Sequence, residues 1–228
     1  MVALILADGD APTRPQLDAS WPGWSDGVDL VIAADGGARH AAGLGVGIDL
    51  WVGDGDSLGE AGLAALAAAG VPIERARPDK DQTDTELAIR AALARGADHL
   101  VIVGALGGRR IDHALANVGL LALADLAGRH AVVLDARSRI SLLRATVPAG
   151  LPGDDRLTLA GAPGDLVSLL PHGGDVHGVT TDGLAFPLAD EPLSLGSTRG
   201  VSNVIRRRGA SVVVRRGFLL VIESPATL

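Results

Sequence analysis

At 228 residues the chain is long enough for one large domain or two modest ones, and a hydrophobic fraction of 47% suffices for a packed core. Aromatic residues supply only 2%, so that core must be built mainly from Ala, Val, Leu and Ile. Acidic residues outnumber basic ones 27 to 20; the resulting net charge of -7 argues against nucleic acid as a partner, and an acidic protein can hold a polyphosphate only through a divalent cation or locally placed Arg and Lys. The absence of cysteine excludes disulfides, thiolate metal sites and a cysteine nucleophile.

The opening stretch MVALILADGD has neither the basic leader nor the apolar length of a signal peptide, and no apolar run reaches the roughly 18 residues of a membrane span. The expectation is a soluble, cytoplasmic protein with no membrane partner. Apolar runs at Val2 to Ala7, Val28 to Ala34, Leu50 to Gly53, Pro72 to Glu74, Leu100 to Val103 and Ala131 to Leu134 predict strands. Between them, Glu60 to Ala69, Thr83 to Arg95 and Ile111 to Leu126 predict helices. Capping-box spelling marks two helix starts, Ser57 with Glu60 and Thr83 with Glu86. Strands separated by helices of ten or so residues indicate βαβ units and a mostly parallel, Rossmann-like sheet.

Past Ala136 the texture changes. Short strands alternate with Gly and Pro turns: Ile140 to Ala145, Arg156 to Leu159, Leu166 to Leu170, Val201 to Ile205, Ser211 to Arg215 and Phe218 to Glu223. This pattern predicts an all-β second domain, a sandwich or small barrel. The expected division is an α/β domain over residues 1–135 and a β-sandwich domain over 136–228.

The densest chemical signal is Gly53-Asp54-Gly55-Asp56-Ser57, directly after an apolar strand. Two carboxylates one residue apart repel each other unless a cation or an Arg neutralises them. Mg²⁺ takes a few carboxylates together with substrate phosphates, so a pair or trio of Asp residues is the right number. Asp35, in Ala34-Asp35-Gly36-Gly37, ends another strand and can serve a nucleotide or metal, or simply cap the next turn. The loop Lys80-Asp81-Gln82-Thr83-Asp84 enters a helix. It offers a lysine for phosphate and a carboxylate for metal or substrate beside a helix N-terminus, although a solvated, capped loop would read the same way. Gly107-Gly108-Arg109-Arg110-Ile111-Asp112-His113 opens a further helix with glycines that admit a phosphate and an arginine that can clamp one. It matches neither a P-loop nor a dinucleotide fingerprint. Gly196-Ser197-Thr198-Arg199-Gly200-Val201-Ser202-Asn203 is a small polar loop that could bond a heteroaromatic ligand or be a plain turn.

Taken in order, ADGG, GDxDS, KDxTDxE and a glycine-rich segment ending R-x-D-H resemble the thiamine pyrophosphokinase family. The segments Pro163 to Pro171, Gly178 to Leu188 and Gly196 to Asn203 resemble its second domain, so the likeness runs through nearly the whole chain. The resemblance implies transfer of the pyrophosphoryl group of ATP to the hydroxyl of thiamine, with Mg²⁺, by a homodimer whose active site lies between subunits. It implies acidic site residues Asp35, Asp54, Asp56, Asp81, Asp84 and Asp112, with Arg110 beside them. Asp54, Asp56 and Asp81 would hold the metal; Ser57, Lys80, Gln82, Thr83, Gly107, Gly108 and Arg109 would serve the nucleotide. Ser197, Thr198, Arg199, Ser202 and Asn203 would face thiamine. Related pyrophosphokinases act on pterin-type alcohols, and a binding protein without turnover is the second alternative; the GSTRGVSN loop favours thiamine over the first, and the full acidic set argues against the second. The chain departs from the family pattern at Gly55, where a bulky apolar residue is usual, at Phe186, where Tyr is frequent, and in one extra residue between Gly107 and His113.

Overall fold

The computed structural model describes residues 1–145 and 155–226, and the chain divides into two compact units. The first comprises residues 1–120 and 130–136, the second 121–129 and 137–228. One is α/β and the other β-rich. Residues 146–154 and 227–228, within the expected second domain, lie outside the described residues.

The first unit runs β1 (Val2–Leu6), α1 (Arg14–Ser20), β2 (Val28–Ala34), α2 (Ala41–Leu44), β3 (Leu50–Gly53), α3 (Gly59–Ala68), β4 (Ile73–Arg75), α4 (Asp84–Ala94), β5 (His99–Val103), α5 (Ile111–Gly119) and β6 (His130–Asp135). All six strands pair in parallel, in the order β4-β3-β2-β1-β5-β6. The chain winds outward from β1 to β4, then returns to the other side of β1 to place β5. The strand order therefore reverses between β1 and β5, the position at which open α/β sheets form a crevice at their carboxyl edge. Runs such as Leu4-Ile5-Leu6 and Ile32-Ala33 are completely buried, as expected for parallel strands covered on both faces.

The scarce aromatics are concentrated here. Trp21, Trp24 and Trp51 all join the core around Leu4, Leu6, Leu17 and Leu44. Each indole N–H finds an acceptor: Trp21 donates to Asp135 O, Trp24 to an Asp18 carboxylate oxygen and Trp51 to Asp35 O, at 2.8, 2.8 and 2.9 Å. A buried large side chain contributes about 1.5–3 kcal/mol only if its polar atom is satisfied in this way.

The helix expectations hold with three corrections. The long helix forecast for Ile111 to Leu126 stops at Gly119, and two 3-10 turns, Leu120–Ala122 and Ala124–Leu126, follow. Arg144 in the second unit donates to the carbonyls of Leu121 and Leu123, taking up oxygens that a continued helix would have bonded internally. The capping box expected at Ser57 and Glu60 does not form. Helix α3 begins at Gly59, while Glu60 pairs with Arg75 at 2.6 Å. At Thr83 only half the box forms: its hydroxyl accepts from Glu86 N–H at 3.2 Å, while the Glu86 side chain bonds Arg90 instead. Helix α1 was not foreseen, although Thr13 with Gln16 carries the same spelling and Gln16 accepts from the Thr13 N–H at 2.8 Å.

The second unit contains β7 (Ser138–Arg144), β8 (Arg156–Thr158), β9 (Leu166–Asp182), β10 (Glu191–Leu193), β11 (Asn203–Val204), β12 (Ser211–Val213) and β13 (Arg216–Ser224). The pairings are antiparallel, and β9 organises them. Its first half pairs with β13 and β11, its middle with β10 and its end with β12. The short strand expected at Leu166 to Leu170 is thus one 17-residue strand. Glycines disguise it in the sequence, because Gly173 and Gly178 take φ of +71° and +70° inside the strand and let it bend. The strand expected at Val201 to Ile205 contracts to Asn203–Val204 plus a bridge from Ile205 to Leu184. Val167, Val176, Val179, Val212 and Leu219 form the centre of this unit's core.

Candidate functional site

The loops after β2, β3 and β5, with the N-terminus of α4 and the loop before it, supply the acidic and glycine-rich motifs singled out from the sequence in the first unit. Asp35 follows β2 directly and is 3% exposed, held at φ +43°, a left-handed conformation rare for an aspartate. Its carbonyl accepts from Trp51, and its carboxylate accepts the Ser57 N–H at 3.1 Å and the Leu58 N–H at 3.2 Å. Asp35 thereby fixes the loop that carries the other carboxylates. Gly37 is required here by close approach, since a Cβ at that position would lie 2.0 Å from Leu6 O.

After β3 the chain turns at Gly55, whose φ of +88° suits glycine, and a Cβ there would meet the Leu63 side chain at 2.7 Å. The departure from the family pattern is therefore built into a left-handed turn. Within that turn the Asp56 N–H donates to Asp54 Oδ1 at 3.1 Å. Helix α4 brings the next carboxylate. Thr83 caps it and Asp84 is its first residue, packed over β1, β2 and β3.

One carboxylate oxygen from each of Asp35, Asp54 and Asp84 lies within 4.8 Å of the others. Lys80 bridges two of the three, with Nζ 2.8 Å from Asp54 Oδ2 and 2.9 Å from Asp84 Oδ1. The ammonium is largely enclosed, its side chain 12% exposed. Burial alone would pull the lysine pKa down, but the bonds to Asp54 and Asp84 outweigh it and the ammonium is held above its ordinary value. The Lys80 bond, with the Asp56 N–H, pulls Asp54 below the usual carboxylate range. Asp84 is pushed up by burial, with Lys80 opposing. Burial and a carboxyl–carboxyl hydrogen bond to Asp56 raise Asp35 to about 6, against the two backbone N–H donors that favour its ionised form. A cluster of acids with spread pKa values and one enclosed ammonium is poised to exchange charge with a ligand.

The donor set fits a hard divalent cation. It offers only carboxylate oxygens, which suit Mg²⁺ or Mn²⁺, and the enclosed ammonium between Asp54 and Asp84 shows that a compact cation is accommodated there.

The remaining motif residues distribute as follows. Asp56 is exposed beside the triad and bonded to it; Asp81 is exposed and Gln82 half-buried on the loop before α4. Arg110 and Asp112 pair with each other at 2.5 Å, both mostly exposed, at the start of α5. Arg109 and His113 are exposed beside them. Gly107 and Gly108 take φ of +68° and +76°, and a Cβ on Gly107 would strike the Asp10 carboxylate at 2.3 Å. Of Asp81 and Asp84, either of which was expected to complete or orient the metal shell, it is Asp84 that joins Asp35 and Asp54 in the cluster, while Asp56 and Asp81 lie outside it.

In the second unit a pocket of ≈ 200 Å³ is lined by Leu169, Phe186, Leu188, Arg199, Val201 and Asn203 among others. Of the residues expected to face thiamine, Arg199 and Asn203 line this pocket, whereas Ser197, Thr198 and Ser202 lie along the adjoining exposed loop. Gly200 abuts Leu169, and Ser202 N–H donates to Ser168 Oγ at 3.1 Å with φ +61°. Asn203 is 7% exposed, and its amide accepts from Phe186 N at 3.0 Å while donating to Phe186 O at 2.6 Å. It fixes the wall of the pocket.

Three groups were not singled out from the sequence: Trp51, which donates to Asp35 O at 2.9 Å, Asn117, which donates to Ala105 O at 2.9 Å, and Asp8, which accepts from Arg39 Nη2 at 2.6 Å. Asp8 had a signal: Ala7-Asp8-Gly9-Asp10 repeats, after an apolar strand, the Asp-Gly-Asp spelling of residues 54–56.

A carboxylate triad at the carboxyl edge of a parallel sheet has the chemistry to bind a metal-complexed phosphate ligand. The particular family follows from comparison with known proteins. The thiamin pyrophosphokinase catalytic domain matches residues 24–133 and the thiamin pyrophosphokinase vitamin B1 binding domain matches residues 156–219. The chain belongs to the thiamin pyrophosphokinase family. It is 28% identical over 223 residues to thiamine pyrophosphokinase of Bacillus subtilis, covering 96% of this chain and 97% of that one. Crystal structures of the enzymes from Bacillus subtilis (TM-score 0.80, 27% identity, 99% of each chain) and Geobacillus thermodenitrificans (TM-score 0.78, 26% identity, 100% and 99%) are similar throughout. The Candida albicans protein shares the fold at 15% identity, with a TM-score of 0.76 over 98% of this chain and 90% of that one.

Proposed function

We propose that the chain is a thiamine diphosphokinase, an enzyme that transfers the pyrophosphoryl group of ATP to the hydroxyl of thiamine and yields thiamine diphosphate and AMP. The observation that carries this reading is the joint match of a catalytic and a vitamin B1 binding domain, in order, on a chain whose first unit assembles Asp35, Asp54 and Asp84 into one cluster. The hydroxyl oxygen attacks the β-phosphorus, the bond to the α,β-bridging oxygen breaks, and AMP carries away the electron pair.

Asp35, Asp54 and Asp84 would hold Mg²⁺, which when bound neutralises the polyphosphate and polarises its phosphoryl oxygens. Asp56, exposed beside the cluster, and Asp81, exposed on the loop before α4, would orient the thiamine hydroxyl, and one of the site's carboxylates would take up its proton. Lys80, paired with Asp54 and Asp84, would give up these partners for phosphate oxygens of the nucleotide. Arg110, freed from Asp112, or Arg109 beside it, would meet the charge developing on the leaving AMP. Gln82, Thr83, Ser57 and the backbone of Gly107 and Gly108 would line the nucleotide side. Little covalent chemistry is asked of the protein; holding nucleophile and phosphorus in line accounts for much of the rate.

The pocket in the second unit is the proposed thiamine side, with Arg199 and Asn203 lining it and Ser197, Thr198 and Ser202 on its loop. We further infer that the first unit is Rossmann-like, as the 4-3-2-1-5-6 strand order supports, and that the second is a sandwich, as the sharing of β9 among several ladders supports. The same reading makes the protein a cytoplasmic homodimer in which the thiamine loop of one subunit completes the site of the other, with residues 1–135 catalytic and 136–228 binding thiamine. Among the described residues no helix is long and apolar enough to cross a membrane.

The test is the product. Purified protein with Mg-ATP and thiamine is expected to give thiamine diphosphate and AMP in equal amounts by chromatography and phosphorus NMR. ADP with thiamine monophosphate would overturn the pyrophosphoryl reading. Turnover only with a pterin alcohol would move the enzyme to another acceptor, and no turnover with either would make it a binding protein.

A further inference from the structure

The loop carrying Asp54 and Asp56 is held at Ser57 from two directions. Asp35 accepts the Ser57 N–H at 3.1 Å, and Arg39, four residues on in the 3-10 turn Asp35–His40, donates from Nη1 to the Ser57 carbonyl at 3.0 Å. The other arm of the same guanidinium donates from Nη2 to Asp8 Oδ1 at 2.6 Å. Asp8 sits on the loop after β1, beside the reversal point of the sheet. One arginine therefore spans the loops after β1 and β3 while anchored after β2.

The backbone is shaped around this contact. A Cβ on Gly36 would lie 2.3 Å from Asp8 Oδ1 and 2.5 Å from Arg39 Nη2, so glycine at 36 is what lets the pair close over the turn. The neighbouring loop is locked in the same place. Gly9 N–H donates to Gly104 O at 2.7 Å, a Cβ on Gly9 would strike the carbonyls of Leu106 and Gly104, and His40 Nε2 lies 3.0 Å from Gly9 O. The Asp8 carboxylate is thus presented from a rigid segment.

Global stability is a poor explanation for such a pair. The Arg39 side chain is 52% exposed and that of Asp8 33%, and exposed ion pairs contribute about 0–1 kcal/mol. Neither residue is one of the three clustered carboxylates. What the contact does is fix a peptide one residue from Asp56 and three from Asp54. Metal affinity is sensitive to the groups that orient its ligands, by about 10–100-fold on removal.

We propose that Asp8 and Arg39 are positioning residues of the phosphate-metal site: Arg39, aligned by Asp8, sets the Asp54–Ser57 loop in the geometry that binds a divalent cation. The inference rests on the reading of Asp35, Asp54 and Asp84 as a cation site, and its test does not require turnover.

Electrostatics and positioning predict opposite signs for one substitution. Removing a positive charge beside an acidic cluster strengthens cation binding if Arg39 acts only through its field. Loss of the Ser57 tether weakens it if Arg39 positions the loop. Mn²⁺ binding to wild-type, Arg39→Gln, Asp8→Asn and the double variant, followed by calorimetry and by the EPR signal of free Mn²⁺, separates the two. Expected are a loss of about 10-fold for Arg39→Gln and a double variant no weaker than Arg39→Gln alone, because Asp8 acts through Arg39. Unchanged or tighter Mn²⁺ binding in Arg39→Gln would overturn the proposal, as would full additivity of the two losses. Should Arg39→Gln fail to fold, Arg39→Lys keeps the charge but lacks the fork that reaches both partners, and wild-type affinity in that variant would refute the proposal equally. In the product assay, Arg39→Lys should raise the Mg²⁺ concentration for half-maximal rate and leave KM for thiamine unchanged. Wild-type protein that binds Mn²⁺ at the cluster but turns over no thiamine would refute the kinase reading alone.

Discussion

Replacing Lys80 with Met tests the charge arrangement of the site most directly. The substitution keeps the aliphatic bulk and deletes the ammonium that bridges Asp54 and Asp84 at 2.8 and 2.9 Å. Carboxylate oxygens within 4.8 Å of one another repel by about 3.5 kcal/mol per pair at an effective dielectric of about 20. Two side chains of the lysine bridge are no more than 13% exposed and the third 24%, so solvent screens little of this. Proton uptake by Asp35 and Asp84, both already raised, caps the cost, and removal of one partner from a buried pair typically costs about 3–5 kcal/mol. Taking the lower end at pH 8, the apparent Tm of Lys80→Met should fall by about 6–12 °C for a chain of this size. Mg²⁺ then becomes the diagnostic. A ligand at 100 times its Kd stabilises by about 2.7 kcal/mol, and in the variant the cation meets a cluster already cleared of its competing ammonium. Thermal denaturation followed by circular dichroism, with and without 10 millimolar (about 10 mM) MgCl₂, should show a larger Mg²⁺-induced rise in Lys80→Met than in wild-type. Equal melting of the two proteins without Mg²⁺, or an identical Mg²⁺ shift in both, would refute the view that Lys80 and the cation share one place.

The raised pKa of Asp35, about 6, gives two pH effects of opposite sign. Because the folded value exceeds the unfolded one, Asp35 favours the folded state most below its unfolded pKa of 3.8, and that contribution is lost as pH rises to about 6. Mn²⁺ affinity should change the other way, falling as pH drops below about 6; a flat calorimetric profile from pH 5 to about 7 would exclude Asp35 as a ligand. Asn203→Asp removes the donor to Phe186 O and leaves a carboxylate in a site 7% exposed. The expected cost is about 1–3 kcal/mol with a raised KM for thiamine and an unchanged KM for ATP, and equal changes in both would contradict its place in the pocket wall. Gly37→Ala drives a Cβ to 2.0 Å from Leu6 O, where backbone rather than a flexible side chain must move, so a loss of about 3 kcal/mol or more and poor soluble yield are expected. A soluble variant melting within 2 °C (roughly the effect of a surface change) would show that the β1 edge is looser than the packing implies.

The parallel half of the fold was legible because its strands are short, buried runs closed by Asp and Gly. Val28 to Ala34 and Leu50 to Gly53 were bounded correctly for that reason. The β-rich half was legible in texture but not in length. A 17-residue strand that bends at glycines and changes partner twice shows a sequence pattern indistinguishable from two short strands and a turn. Helix α5 erred in the opposite direction. Its Ala and Leu pattern continues to Leu126, yet the tertiary bonds of Arg144 to Leu121 and Leu123 compete with the helical ones, and no local signal reports a partner more than 20 residues away.

The same distinction between local and tertiary information separates the readable part of the site from the hidden part. Asp54 and Asp56 stand out because two like charges in one turn demand a neutralising partner, and a sequence can show that demand. Which acids share a cluster is decided by where α4 enters the sheet edge, and that depends on the Thr83 cap and on packing over β1 to β3. The family resemblance left Asp81 and Asp84 both open as the residue completing the shell around Asp54 and Asp56, and the helix entry delivers Asp84 to Asp35 and Asp54. The Asp8–Arg39–Ser57 tether was less visible still. Its three parts lie on loops after three different strands, 31 and 18 residues apart, and each looks ordinary alone. Only the parallel order β3-β2-β1 makes them neighbours. Gly36 is the one local trace of that contact: the third residue of Ala-Asp-Gly-Gly is small because an ion pair from elsewhere in the chain occupies the space a side chain would need.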